Sequence, residues 1–107
     1  MDTGVAVIEF DGSITLGDGL NVLRESVQRA LAAGTRGILL DFEGVSYIDS
    51  AGLGELVGSS RSAHAAGVPI KLVHLQKKVQ GLMQITRLLT LFETYEDEDV
   101  AVQSFSQ

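Results

Sequence analysis

An α/β domain, with a mixed sheet of four to five strands and about four helices packed on it, is the fold class this sequence predicts. Two patterns and their punctuation carry that expectation. Short apolar runs, alternating or continuous, read as strands, and the longer segments between them keep their apolar residues on one helical face. Glycine, proline or Asp-Gly marks most of the changes from one to the other. With 107 residues the chain has the length of one domain, 1–107, around one core.

Val5 to Phe10 alternates, with Ala6, Ile8 and Phe10 on one side and Val5, Val7 and Glu9 on the other, as a strand requires. Asp11-Gly12 is a turn dipeptide and Ser13 to Leu16 resumes β-type residues, so the pair reads as a hairpin with a short second strand. A helix follows, with Asp18 as its N-cap, Leu20, Leu23, Val27, Ala30 and Leu31 on one face, and Gly34 at its end. Gly37 to Phe42 is the most continuously apolar stretch and suits a central strand covered on both faces. The next helix carries Leu53, Leu56, Val57 and Ser60 inward, leaves small residues (Gly58, Ser59, Ser62, Ala65, Ala66) outward, and stops before Gly67 and Pro69.

Ile70 to Leu75 is a further strand, with Ile70, Leu72 and His74 on one side. A helix built on Val79, Leu82 and Met83 comes next, then a brief edge strand at Thr94-Tyr95. The run Glu96-Asp97-Glu98-Asp99 opens a last helix with Val100, Ala101 and Phe105, its acids placed at the positive end of the helix dipole. The order is therefore β-β-α-β-α-β-α-β-α, and right-handed crossovers put helices after successive parallel strands on one face.

The stretch Gly44 to Gly58, GVSYIDSAGLGELVG, hands a strand over to a helix and is the candidate site. Asp49 and Ser50 are both residue types that cap helices by accepting from a free N–H of the first turn. Gly52 and Gly54 are not explained by capping, since each costs about 1 kcal/mol of helix propensity relative to alanine. Glycine there lets another backbone, a ligand or a partner approach closely. In open α/β sheets such sites lie beyond the carboxyl ends of the strands.

Composition excludes several classes. No segment reaches the ~20 apolar residues of a membrane span, and no basic-apolar leader opens the chain, which sets the expectation of a cytoplasmic protein. A formal charge of −6 argues against nucleic acid or anionic lipid as partners. Two separated histidines without cysteine argue against a transition-metal site, and His64 and His74 read as packing or surface. Ser50 has Ile48 and Gly52 around it in place of the glycines of a nucleophile elbow, and no phosphate-loop or dinucleotide spacing surrounds Gly52-x-Gly54. Glu55 reads as a surface residue of the first helical turns. The expectation is a protein without catalytic residues, metal or cofactor.

Leu40-Asp41 through Val45, followed by Tyr47-Ile48-Asp49-Ser50-Ala51-Gly52-Leu53-Gly54, resembles the signature of the STAS domain, named for sulfate transporters and anti-sigma factor antagonists. Phe10-Asp11-Gly12, the amphipathic helix, Gly67 with the strand after it and the terminal acidic-apolar helix also fall where that family has them, so the resemblance covers nearly the whole chain. A lone domain of this kind is most similar to the free-standing anti-sigma factor antagonists, or anti-anti-sigma factors.

The resemblance implies partner switching in transcription regulation. Ser50 corresponds to the serine that an anti-sigma factor, itself an ATP-dependent serine kinase, phosphorylates, and Asp49 to the acid beside it. The unmodified form binds the anti-sigma factor and frees the sigma factor, phosphorylation switches binding off, and a serine phosphatase restores it. Ala51, Gly52, Leu53 and Gly54 would complete the partner-binding surface, with Asp11 and Ser13 of the hairpin as its second part. The same domain also serves as the small subunit of membrane transport complexes that contacts an ATPase subunit, and the Asp-Ser pair fits that alternative as well.

Overall fold

The computed structural model describes residues 4–106. The chain runs β1 (Val5–Ile14), α1 (Leu20–Ala32), β2 (Gly37–Ile48), α2 (Ser50–Ala65), β3 (Ile70–Val73), α3 (Lys77–Ile85), a 3-10 turn (Leu88–Leu91), β4 (Thr94–Tyr95) and α4 (Glu98–Ser104). The four strands lie in the order β1-β2-β3-β4 and every pairing is parallel. The sheet is therefore parallel rather than mixed, because the hairpin expected at Asp11-Gly12 does not form. Val5 to Ile14 is one strand along β2, and the Asp11-Gly12 dipeptide is absorbed as register shifts between Glu9 and Asp11 and between Gly12 and Ser13. Long-range pairing outweighs the local turn chemistry here: Phe10 and Ile14, on either side of the dipeptide, are both buried in the same core.

β2 is the central strand, and it extends past Phe42 to Ile48 with Val45 and Ile48 also buried. Its alternation divides the molecule. Ile38, Leu40 and Phe42 face the larger core, where they meet Leu23 and Val27 of α1, Leu53 and Leu56 of α2, and Val79 and Met83 of α3. Three helices thus share one face, as right-handed crossovers between adjacent parallel strands demand. Phe10 and Phe42 pack edge to face within it, ring centroids 5.7 Å apart. The opposite face is thinner, with Leu39, Val73 and Ala101 of α4 at its centre and Val5, Tyr95, Val102 and Phe105 around them.

Local chemistry sets the helix ends. Asp97 caps α4 by accepting from the Val100 N–H at 3.0 Å. α1 is capped at Gly19, not Asp18: the Thr15 and Asp18 backbones close a tight loop on each other, which leaves Gly19 to take the left-handed φ of 87° that starts the helix. In α2, Leu53, Leu56, Ser59 and Ala63 are buried while Val57 and Ser60 are only half-buried, so Ser59 belongs to the inner face and not the outer one.

β3 ends at Val73, two residues earlier than its pattern suggests, because His74 adopts a left-handed φ of 63°. That turn breaks the alternation and carries the imidazole to Asp41 on the α4 face, away from Ile70 and Leu72. Of the terminal residues, Val100 is 53% exposed and Phe105 lies just past the end of α4.

Core position predicts mutational cost. Leu40→Ala, at a fully buried site, is expected to destabilise the domain by about 2–5 kcal/mol, and Val22→Ala, at a 58% exposed one, by no more than about 0.5 kcal/mol, both read from urea unfolding midpoints.

Candidate functional site

At the carboxyl end of β2 the chain turns directly into α2, and Asp49 makes the joint. Its Oδ1 accepts from the Gly52 N–H at 2.8 Å, which is the N-cap bond of α2, and its Oδ2 accepts from the Leu16 N–H at 3.1 Å. The Asp49 N–H donates to the Ile14 carbonyl at 3.3 Å. One residue thus ties the end of β1 to the start of α2. The Gly52 N–H first, and the Leu16 N–H second, hold the Asp49 carboxyl below its usual value of 3.8, because both bonds favour the ionised form.

The two glycines of the first turn play different parts. A Cβ on Gly52 would collide with the Ile14 carbonyl oxygen and come within 2.6 Å of the Ile48 side chain, so the close approach there is made by the protein's own backbone. A Cβ on Gly54 would meet nothing within 4 Å. Gly54 is exposed, as is Ser50, which stands as the first residue of α2 on the solvent side of the joint. Ala51 is half-buried, while Leu53 is buried and anchors the turn to the core.

The two outlying site candidates separate. Ser13 pairs in register with Tyr47 and remains at this end of the sheet. Asp11 instead lines an acidic concavity of about 350 Å³ with Glu9, Asp41 and Glu43. The structure adds residues that pattern alone does not mark. Leu16, whose N–H Asp49 holds, is 78% exposed and shares a groove of about 290 Å³ with Asp18 and Val22. Tyr47 is 42% exposed, with the Lys78 ammonium 5.1 Å from its ring centre. Glu55 is no simple surface residue: its carboxylate, 14% exposed, pairs with Arg24 of α1 at 2.6 Å and raises the guanidinium's pKa further.

A second cluster lies on the α4 face. His74 Nδ1 is 3.1 Å from Asp41 Oδ1 and 3.5 Å from Glu43, and the donor atoms of Asp41, His74 and Glu98 lie within 4.8 Å of one another. His74 is therefore a hydrogen-bond partner of Asp41, and an ion-pair partner when protonated, rather than packing or plain surface. Among the described residues no helix is long and apolar enough to cross a membrane.

Fold and site together define a small parallel α/β domain that presents a hydroxyl at a rigidly capped strand-to-helix joint. The model of the STAS domain matches residues 2–101, and the chain belongs to that family. Over 67 residues it is 33% identical to an anti-sigma-B factor antagonist of Staphylococcus aureus, a match covering 63% of this chain and 62% of that protein's length. Among solved structures, a Thermotoga maritima protein provisionally assigned as an anti-sigma factor antagonist superimposes with a TM-score of 0.89 at 21% identity, over 100% of this chain and 92% of that one. A sulfate transporter family protein from Wolinella succinogenes superimposes with a TM-score of 0.85 at 16% identity, over 99% and 88% of the two chains. Likeness at such low identity speaks to the fold.

The glycines make a paired prediction. Gly52→Ala is expected to destabilise the domain by about 1–3 kcal/mol through overpacking, and Gly54→Ala to stabilise it by up to about 1 kcal/mol through helix propensity, both measured by chemical denaturation. Asp49 adds a pH signature. Its folded-state pKa is depressed, so its contribution is present above 3.8 and lost as pH falls through the lower folded value; the stability gap between wild type and Asp49→Ala should be open near neutrality and close in acid.

Proposed function

We propose that this domain is an anti-sigma factor antagonist controlled by phosphorylation of Ser50, and that it receives the phosphate without doing chemistry itself. The observation that carries the reading is the exposed Ser50 hydroxyl next to Asp49 at the start of α2, on a joint the protein's own bonds keep fixed. The name of the Staphylococcus aureus relative supports the partner class, an anti-sigma factor. In this reading that partner is an ATP-dependent serine kinase, a serine phosphatase reverses the modification, and the unmodified domain docks and displaces the sigma factor.

The physical chemistry is consistent with such a switch. A phosphoryl group adds about −1.5 to −2 charges near neutral pH. At a helix start it meets the positive dipole end, a gain of about 1 kcal/mol, but the Gly52 N–H is already committed to the Asp49 carboxylate, which repels the newcomer. Within the domain these contributions roughly cancel. At an interface they do not, since an unpaired or like charge in a desolvated contact costs several kcal/mol, and each ~1.4 kcal/mol is a factor of ten in affinity. Gly54 leaves the helix surface bare beside the serine, while Leu16 and Tyr47 offer exposed apolar area for a partner.

Incubation with ATP and the cognate anti-sigma factor is expected to add the mass of one phosphate to the peptide containing Ser50, and none to a Ser50→Ala protein. A wild-type peptide that stays unmodified, in a domain that co-purifies with a transporter's ATPase subunit, would contradict the proposal. If docking occurs on this surface, Leu16→Ala should weaken binding about tenfold or more by calorimetry while leaving the unfolding midpoint unchanged.

A further inference from the structure

α4 has seven residues, of which only Ala101 is fully buried. A helix this short does not persist by itself, so its place on the sheet depends on what grips it. Two basic side chains of the β3 segment do so, one at each end. At the C-terminal end the buried Lys71 ammonium donates to Ser104 Oγ at 2.9 Å and to the Ser104 carbonyl at 3.3 Å, and lies 4.6 Å from the centre of the Phe105 ring. Glu93, 3.4 Å away, balances its charge. Near the N-terminal end stands His74, turned to this face by its left-handed backbone and pinned there by its N–H bond to the Tyr95 carbonyl at 3.0 Å.

The charged groups facing His74 are all acidic: Asp41 and Glu43 from β2 and Glu98 from the first turn of α4, with Glu96 beside it on the wall of an adjoining cavity of about 640 Å³. Gln80 of α3, on the same wall, is uncharged. A protonated imidazole neutralises this cluster; a neutral one leaves carboxylates from two elements facing each other with no cation between them. We propose that α4 is a cover over the second face of the sheet whose last turn is held by Lys71 and whose first turn is held by the proton on His74. With that catch open, the first turn of α4, which follows β4 after only Glu96 and Asp97, unwinds while Lys71 keeps the last turn in place, and Leu39 and Val73 beneath it lose part of their cover.

The direction follows from the pairing. The hydrogen bond to Asp41, aided by the charges of Asp41, Glu43 and Glu98, raises the imidazole above its usual 6.5 against the opposing effect of burial. The catch is fully closed below 6.5 and is lost as pH rises through the raised folded-state value. The experiment is hydrogen exchange of the whole chain at about pH 6 and about pH 8.5, corrected for intrinsic rates, comparing peptides from residues 97–106 with those from residues 50–65. Protection of α4 relative to α2 is expected to fall roughly threefold or more between the two conditions. His74→Asn keeps a residue that tolerates the left-handed backbone but carries no charge, and should leave α4 poorly protected at both pH values with α2 unaffected. Glu98→Gln should flatten the pH dependence from the other side. Protection of α4 that tracks α2 at both pH values, a His74→Asn protein that keeps the wild-type pH dependence, or one in which α2 loses protection equally would overturn the proposal.

Discussion

The two-sided hydrogen bonding of the Asp49 carboxylate is the constraint on which the candidate site depends. Through Gly52 it caps α2, and through Leu16 it fastens the segment that leaves β1. Those segments come from distant parts of the sequence, so the cap is a tertiary contact as much as a local one. It also explains the glycine at 52: with the Ile14 carbonyl drawn against the first turn of α2, no side chain fits there. Ser50 is then presented outward by a frame that owes nothing to its own hydroxyl.

This arrangement separates what holds the domain together from what it displays. Stability resides in the larger core, where β2 meets three helices, and in the joint at Asp49. Display resides in Ser50, Gly54, Leu16 and Tyr47, all exposed and none in the centre of the core. A charge added to such a surface changes what can dock there far more than it changes the fold. The second face of the sheet is built differently, with a thin apolar strip under a short helix that packs Ala101, Val102 and Phe105 on it and is held further by the Lys71 hydrogen bonds and cation–π contact.

Much of this was legible in the sequence wherever the determinant is local. The faces of α1 and α3, the continuous apolarity opening β2, the Asp49 cap, the acidic start of α4 and the brief β4 follow from periodicity and helix-end chemistry within a few residues. The pattern misleads where a distant partner or a tight backbone turn decides. Asp11-Gly12 has the chemistry of a hairpin, but pairing with β2 on both sides keeps the strand running straight through it. Asp18 has the chemistry of a cap, but the Thr15 loop engages its backbone and passes the helix start to Gly19. His74 follows the alternation of β3 in sequence, and only the left-handed turn moves it to Asp41. The pairing of Glu55 with Arg24, 31 positions apart, left no pattern to read.

In the proposed switch, esterification of the Ser50 hydroxyl alters docking and not folding. The most direct measurement takes one preparation, phosphorylated at Ser50 and unmodified, and records both its unfolding midpoint and its affinity for the anti-sigma factor. The expected result is a midpoint shifted by no more than about 0.5 kcal/mol in stability, together with an affinity at least about tenfold weaker. Equal affinity in the two forms, or a phosphorylated chain that no longer folds, would contradict it.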